Sequence, residues 1–178
     1  MSMKLTEFMD KAPTKKKQLL FPSYAPPSKW RSPDQDKWLK SRTWRNLRQK
    51  ILLRDDFTCV YCGFRAEKWQ IVDHIDGDPE NHSPFNLQVI CQMCNLVKHS
   101  GMGCVIEGVV DLFKKADYPQ EEIIKITRKM RTSGSSDAEI MVLLGLKEKV
   151  PFVQDRTYLK PLFAFVTSRP RKSGKPIF

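Results

Sequence analysis

The chain lacks the features that would place it in or across a membrane. Its 178 residues contain no run of eighteen apolar residues, which is the length that usually marks a membrane-spanning helix. There is also no basic helix with a clean apolar face of the kind that lies on lipid. No continuous apolar core follows the first basic residue of the chain. We therefore predict no signal peptide and expect a cytoplasmic protein.

The first forty residues cannot form a long helix. Prolines stand at positions 13, 22, 26, 27 and 33, and each interrupts helical hydrogen bonding. Because lysine and serine are also frequent here, we predict an extended basic arm over residues 1–40. Its charge suits a phosphate backbone, and a solvated tail explains the same composition. Residues 151–178 are predicted to be a second basic segment, the carboxy-terminal tail.

Acidic residues are in the minority, with 20 Asp and Glu against 31 Lys and Arg, for a net charge of +11. Such an excess attracts polyanions. Nucleic acid is therefore the first candidate partner.

Cysteine is scarce, but four of the five cysteines form two C-x-x-C pairs, Cys59 with Cys62 and Cys91 with Cys94. In a reducing compartment this pattern indicates one zinc ion held by four thiolates, and two disulfides are the alternative. A closed four-sulfur site has no open position for substrate, so we predict a structural Zn²⁺. Cys104 is left over and is predicted to be a buried apolar thiol.

The periodicity between residues 41 and 101 predicts the order helix, knuckle, strand, loop, helix. Trp44, Leu47 and Ile51 recur at helical spacing in the first segment. "FTCVYCGF" is predicted to be a strand leading into a knuckle, and "WQIVDHI" a strand. The turn-forming "DGDPENHSP" follows, and "FNLQVICQMCNLVKHSG" is predicted to be helical up to Gly101.

Between residues 102 and 150 we predict a helical extension. The segments are "VIEGVVDLFKKA", "PQEEIIKITRKM" and "SSDAEIMVLLGL", the last with Ser136 and Glu139 spaced as a capping box. This last helix also resembles the first half of a helix-turn-helix, although Pro151 would interrupt the second half.

A second set of good ligands lies around the zinc pairs. Asp73, Asn86 and Asn95 offer oxygen ligands suited to Mg²⁺ or Mn²⁺. His74 offers an imidazole that can accept a proton near neutral pH. Together with a basic surface these are the parts of a metal-dependent phosphodiester hydrolase. Because neighbouring side chains alternate on a strand, we expect the strand to end or bulge at Asp73 and His74.

The segments "WRNLRQKILLRDDFTCVYCG", "VDHI", "FNLQVIC" and "CNLVKH" resemble the His-Asn-His (HNH) endonucleases, in the subgroup that carries a four-cysteine zinc site. The resemblance covers residues 41–101, about a third of the chain. It implies an α+β protein with a small ββα-metal core, an amino-terminal arm and helix, and a helical carboxy-terminal extension. It also implies hydrolysis of DNA, which we predict to be double-stranded, to 5′-phosphate and 3′-hydroxyl ends.

The resemblance implies a role for each matching position. His74 matches the general base and Asp73 a metal ligand. Asn86 matches the central asparagine, which holds the loop and so orients the histidine. Asn95 matches the second metal ligand, where the family name has a final histidine, and an amide there favours Mg²⁺.

Other polar residues are weaker candidates. His99 shares a helical face with Asn95 and is predicted to be a further ligand or a phosphate contact, with a surface imidazole as the alternative. Arg45, Arg48 and Lys98 are candidate phosphate contacts, and a solvated face is their alternative. His82 is predicted to be an ordinary loop histidine. The acidic loop that begins at Asp76 lacks the register of an EF-hand, so we predict no calcium site there.

Two other functions fit parts of the sequence. A non-catalytic zinc module that binds DNA explains the charge and the cysteines, but leaves the ligand set unexplained. An RNA-directed nuclease would account for the charge, the cysteines and the ligand set. Restriction, homing and phage enzymes are all compatible settings, and cleavage of both strands would need two active sites, as in a homodimer.

Overall fold

The computed structural model describes residues 18–26, 32–172 and 174. These fall into two compact units. The first unit holds Gln18 and positions 26 and 32–91, and the second holds 19–25, 92–172 and 174. Both helices and strands are present, which confirms the predicted α+β class. Among these residues, no helix has the length and apolar character needed to cross a membrane.

The first unit begins with a short helix in the predicted arm. Helix α1 spans Pro33–Trp38 and is capped by Ser32, which forms a capping box with Gln35. Proline is compatible with this helix because it occupies the first turn, where no backbone N–H donor is required. The predicted arm is therefore not extended throughout. Positions 1–17 and 27–31 of the arm lie outside the described residues.

Helix α2 and a two-stranded sheet form the core of the first unit. Helix α2 spans Arg42–Arg54 and is capped by Ser41, as its periodicity predicted. Strand β1 spans Ile71–His74 and pairs antiparallel with β2, Leu87–Ile90, and a 3₁₀ turn at Pro84–Asn86 precedes β2. The buried cluster between helix and sheet consists of Trp44, Ile51, Leu52, Val72, Leu87 and Val89.

Strand β2 corrects one prediction. The sequence indicated a continuous helix after the loop, whereas the chain forms β2 first and only then helix α3, Gln92–Lys98. All four β2 residues are buried, so the strand has no solvent-exposed face. Periodicity alone cannot distinguish such a short apolar run from a buried helical turn.

A buried ion pair at the end of α2 connects the helix to the sheet. Arg54 donates two hydrogen bonds of 2.8 Å to the Asp55 carboxylate. The same guanidinium donates to the backbone oxygens of Pro84, at 2.6 Å, and Leu87, at 2.7 Å. Asp55 in turn accepts from the backbone N–H of Val89 at 3.2 Å. These bonds fix β2 and the turn before it onto the helix.

The second unit is built on a three-stranded antiparallel sheet with the order β4-β3-β5. Strand β3 spans Val110–Lys115, β4 spans Lys147–Val150 and β5 spans Phe163–Val166. Helices α3, α4 (Gln120–Thr132), α5 (Asp137–Leu143) and α6 (Arg156–Leu159) belong to the same unit. The buried core of α4, α5 and the sheet consists of Phe113, Ile123, Ile140, Leu144 and Phe165.

The predicted helix "VIEGVVDLFKKA" is wrong. A π-helix at Gly101–Ile106 is followed by strand β3. Gly108 separates them with φ of 68°, a conformation that favours glycine and ends helices. Val110 then begins a central strand that pairs with β4 and β5, where β-branched residues are favoured.

The next two predicted helices are confirmed as α4 and α5, and α5 has the capping box of Ser136 and Glu139. Strand β4 follows α5, so the helix-turn-helix alternative is wrong. Cys104 is only partly exposed, and burial raises the pKa of its thiol to about 12.

We predict that Arg54→Ala destabilises the first unit by about 3–5 kcal/mol, because it leaves a buried carboxylate and two backbone carbonyls without their donor. Urea unfolding followed by tryptophan fluorescence measures the change. Arg65→Ala is the matched control, since it removes an Arg–Asp pair whose side chains are 51% and 72% exposed. An Arg54→Ala midpoint as little changed as that of Arg65→Ala would contradict the prediction.

Candidate functional site

The candidate catalytic residues lie at the end of strand β1. Asp73 is paired with Gln88 of β2, and His74 is paired with Leu87. The register is regular through both pairs, so the strand does not bulge. It ends at His74, which is one of the two outcomes that the sequence predicted. Since successive side chains alternate, Asp73 and His74 project from opposite faces of the sheet.

The Asp73 side of the sheet is polar. Asp73 is 7% exposed and accepts a hydrogen bond of 3.0 Å from the side-chain amide of Gln88. The same amide nitrogen lies 3.3 Å from the Tyr61 hydroxyl, which donates to Gln18 at 3.2 Å. This chain of polar groups orients one oxygen of a buried carboxylate. A carboxylate in this setting is suited to a hard cation.

The His74 side of the sheet is aromatic. His74 is 5% exposed, and its ring lies nearly parallel to that of Trp44, with centroids 6.2 Å apart. Its Nε2 atom lies 3.2 Å from Nδ1 of His82. The His82 ring stacks on Trp38 with centroids 3.6 Å apart and an interplanar angle of 6°. The loop histidine that the sequence left without a role therefore contacts the candidate base.

Asn86 closes the loop that follows His74. Its Oδ1 accepts from the Asp76 backbone N–H at 3.1 Å, and its Nδ2 donates to the Asp76 carboxylate at 2.8 Å and to the Asn81 carbonyl at 2.9 Å. Its own carbonyl accepts from the N–H of Ile75 at 2.8 Å. The side chain and the backbone carbonyl of Asn86 thus hold the two ends of the loop together.

The Asp76 carboxylate in this loop is ionised readily. Desolvation raises its pKa, but hydrogen bonds from the Asp78 backbone and from the side chains of Asn86 and Asn81 lower it more, and His74 adds a favourable charge interaction. The net pKa lies below the ordinary value. The loop therefore keeps a negative charge close to the imidazole at neutral pH.

The four paired cysteines form one buried cluster. The sulfur atoms of Cys59, Cys62, Cys91 and Cys94 all lie within 4.8 Å of one another. The sulfurs of Cys62 and Cys91 are 3.7 Å apart, close to the edge of about 3.8 Å of a tetrahedron with metal–sulfur bonds of about 2.3 Å. No disulfide links any of the five cysteines, all of which are described. The cluster is a candidate site for a structural metal.

The remaining candidate ligands and phosphate contacts lie on two helices. Asn95 and Lys98 are in α3 and His99 directly follows it, and all three are partly exposed. On α2, Arg45 is exposed, whereas Arg48 is half-buried and donates to the Gln70 carbonyl at 2.7 Å. Burial lowers the pKa of Arg48. Arg48 therefore already has an intramolecular partner.

Several residues of the site were missed by the sequence reasoning. Gln88 and the Arg54–Asp55 pair hold the hairpin, and His82, stacked on Trp38, contacts the imidazole. Gln88, Arg54 and Asp55 fall inside the matched segments "FNLQVIC" and "WRNLRQKILLRDDFTCVYCG", which gave the only signal. The contacts of Trp38 and His82 join separate segments and leave no local pattern.

Comparison with known proteins identifies two partial relatives and no matching family model. A "Type 4 apparatus protein DotN" of Legionella pneumophila is 36% identical over 63 residues, which cover 34% of this chain and 29% of that protein. A "Probable HNH endonuclease" of Lactococcus phage SK1 is 38% identical over 72 residues, which cover 35% of this chain and 76% of the phage protein.

The two matches differ in extent. The chain spans less than a third of the length of the Legionella protein and about three quarters of the phage protein. Both matches cover only about a third of this chain, and the buried four-cysteine cluster fits an HNH-like zinc site. Through its matched segment, the chain belongs to the family of the phage HNH protein.

Proposed function

We propose that the chain is a metal-dependent HNH endonuclease that hydrolyses phosphodiester bonds of double-stranded DNA. The observation that carries the proposal is the closed loop after β1, in which Asn86 holds the backbone that begins at His74. Similarity to the phage protein supports the same activity. The net charge of +11 supports a polyanionic substrate.

His74 is the proposed general base. In this mechanism one ring nitrogen takes a proton from the attacking water as that water approaches the phosphorus in line with the departing 3′ oxygen. Asn86 is a positioning residue, because its hydrogen bonds hold the loop at the end of β1. The products carry 5′-phosphate and 3′-hydroxyl groups.

The proposed catalytic ion is Mg²⁺ or Mn²⁺. Asp73 would hold it with a carboxylate that Gln88 already orients. Asn95 keeps the ligand role that the resemblance implies, and His99, four residues further along the chain, is a proposed additional ligand. When bound, such an ion neutralises charge that develops on the phosphate. Carboxylate and amide oxygens are suited to these hard ions.

The proposed structural ion is Zn²⁺ in the four-cysteine cluster. Four buried sulfurs within 4.8 Å of one another, one pair of them 3.7 Å apart, suit the four-thiolate coordination that zinc prefers. Zinc in such a site contributes folding free energy to the protein around it. Arg45 and Lys98 are proposed to contact DNA phosphates, and the half-buried Arg48 has a mainly structural role.

A non-catalytic zinc module is the second candidate, and two observations favour it. The Legionella relative is named as an apparatus protein, and that name assigns it no nuclease activity. His74 is also 5% exposed and packs among aromatic rings. In this alternative the chain binds DNA or assembles with other proteins but does not cleave.

We predict that His74→Ala lowers the rate of DNA cleavage by about 10²–10⁴-fold, the usual contribution of a general base. Supercoiled plasmid is incubated with Mg²⁺ or Mn²⁺, with and without EDTA, and nicked and linear products are quantified on gels. Zinc content and far-ultraviolet circular dichroism serve as controls for folding. A folded His74→Ala variant with wild-type activity would overturn the assignment. A wild-type protein that cleaves neither DNA nor RNA would favour the non-catalytic module.

We predict that Cys91→Ser lowers the zinc content and destabilises the fold, because it removes one of four ligands from a closed site. Mass spectrometry of bound metal and thermal melting measure the two effects. Cys104→Ser is the matched control, because Cys104 lies outside the four-sulfur cluster. The prediction fails if Cys91→Ser keeps one zinc ion per chain and the wild-type melting temperature.

A further inference from the structure

The candidate base belongs to a cluster of four rings, Trp38, Trp44, His74 and His82. The two tryptophans are 5.1 Å apart, and His82 is 5.9 Å from Trp44 and 5.3 Å from His74, measured between ring centroids. The cluster joins helix α1, helix α2, the end of β1 and the loop. Nothing in the proposed mechanism so far uses Trp38 or His82.

His82 is held in place by helix α1. Its ring lies flat on Trp38, with centroids 3.6 Å apart. A second contact joins the same helix and loop, because Gln35 donates to the Glu80 carboxylate at 2.9 Å. The capping box of α1 fixes the start of the helix. The position of the His82 ring is therefore determined by its stacking on Trp38 and by the hydrogen bond between helix α1 and the loop.

The contact between the two histidines joins ring nitrogens. His74 Nε2 lies 3.2 Å from His82 Nδ1, so one imidazole donates and the other accepts. If His74 donates from Nε2, its lone pair is on Nδ1 and the neutral ring is a base at that atom. If His74 accepts instead, its Nδ1 carries the proton and cannot take another. The tautomer of His82 thus decides whether His74 can act as a base.

We propose that His82, stacked on Trp38, is a positioning residue that accepts a hydrogen bond from Nε2 of His74 and so presents Nδ1 of His74 as the base. The catalytic role of this contact rests on the proposed nuclease function. The tautomer itself is a property of the folded protein and is measurable without substrate.

The kinetic test compares variants at position 82. His82→Leu removes the acceptor and is expected to lower kcat about 10-fold or more with KM little changed, a size usual for a partner that orients a functional imidazole. His82→Asn places an amide oxygen near the position of Nδ1 and is expected to retain most of kcat. Asp34→Ala, which removes an exposed ion pair from the same helix, is the control and should match wild type.

Variants at position 38 test the stacking. Trp38→Phe keeps an aromatic surface and should behave like wild type, whereas Trp38→Ala should lower kcat as His82→Leu does. Because the two residues act as one unit, the double variant should lose no more than His82→Leu alone. Higher cleavage in His82→Leu or Trp38→Ala would overturn the proposal and identify the pair as a cover over the site. A double variant in which the kcat losses of the two single variants add would also overturn the proposal.

Nitrogen-15 NMR of the side chains supplies a readout that needs no cleavage. The sequence contains only three histidines, so assignment is simple. Neutral wild-type His74 should carry its proton on Nε2, and His82→Leu should shift its tautomer population. A proton on Nδ1 of wild-type His74, or an unchanged tautomer in folded His82→Leu, would refute the positioning role. If the wild-type protein cleaves no nucleic acid, the proposed function fails while this measurement still decides the inference.

Discussion

The candidate site depends on a two-stranded sheet that is too small to be stable alone. Each strand has four residues, and isolated hairpins are at best marginal in water. The Arg54 guanidinium contributes four hydrogen bonds that connect Asp55, Pro84 and Leu87. Those bonds fix both the strand that pairs with Asp73 and His74 and the turn that carries Asn86. The geometry of the site is therefore set from the end of helix α2.

The alternation of side chains along β1 then divides the chemistry between two environments. One face joins Asp73 to Gln88 and Tyr61 through hydrogen bonds. The other face places His74 among aromatic rings. A regular ladder places adjacent side chains on opposite faces, so Asp73 and His74 can serve one site only at the edge of the sheet, where the strand ends at His74. The loop closed by Asn86 begins there.

Sequence reasoning predicted the parts of this structure that have local causes. Helix α2 followed from the spacing of its apolar residues, and α5 from the pairing of Ser136 with Glu139. Strand β2 was missed because its four buried residues lack the alternation of a half-exposed strand, and in β3 the two buried neighbours Leu112 and Phe113 break that alternation. Only pairing with distant segments selects the extended form. The stacking of His82 on Trp38 joins residues 44 positions apart, and no spacing rule predicts it.

The choice of histidine at position 74 favours a chemical role over a structural one. A side chain that only filled the space beside Trp44 would be better served by phenylalanine, because burying ring nitrogens costs free energy unless they are hydrogen-bonded. A hydrogen bond to His82 offsets that cost, and His82 is itself held by stacking on Trp38. The chain resembles in part both a protein named as a nuclease and one named as an apparatus component, so similarity alone does not imply cleavage. The hydrogen bond between His74 and His82 therefore adds to the closed loop of Asn86 as an argument for a chemical role.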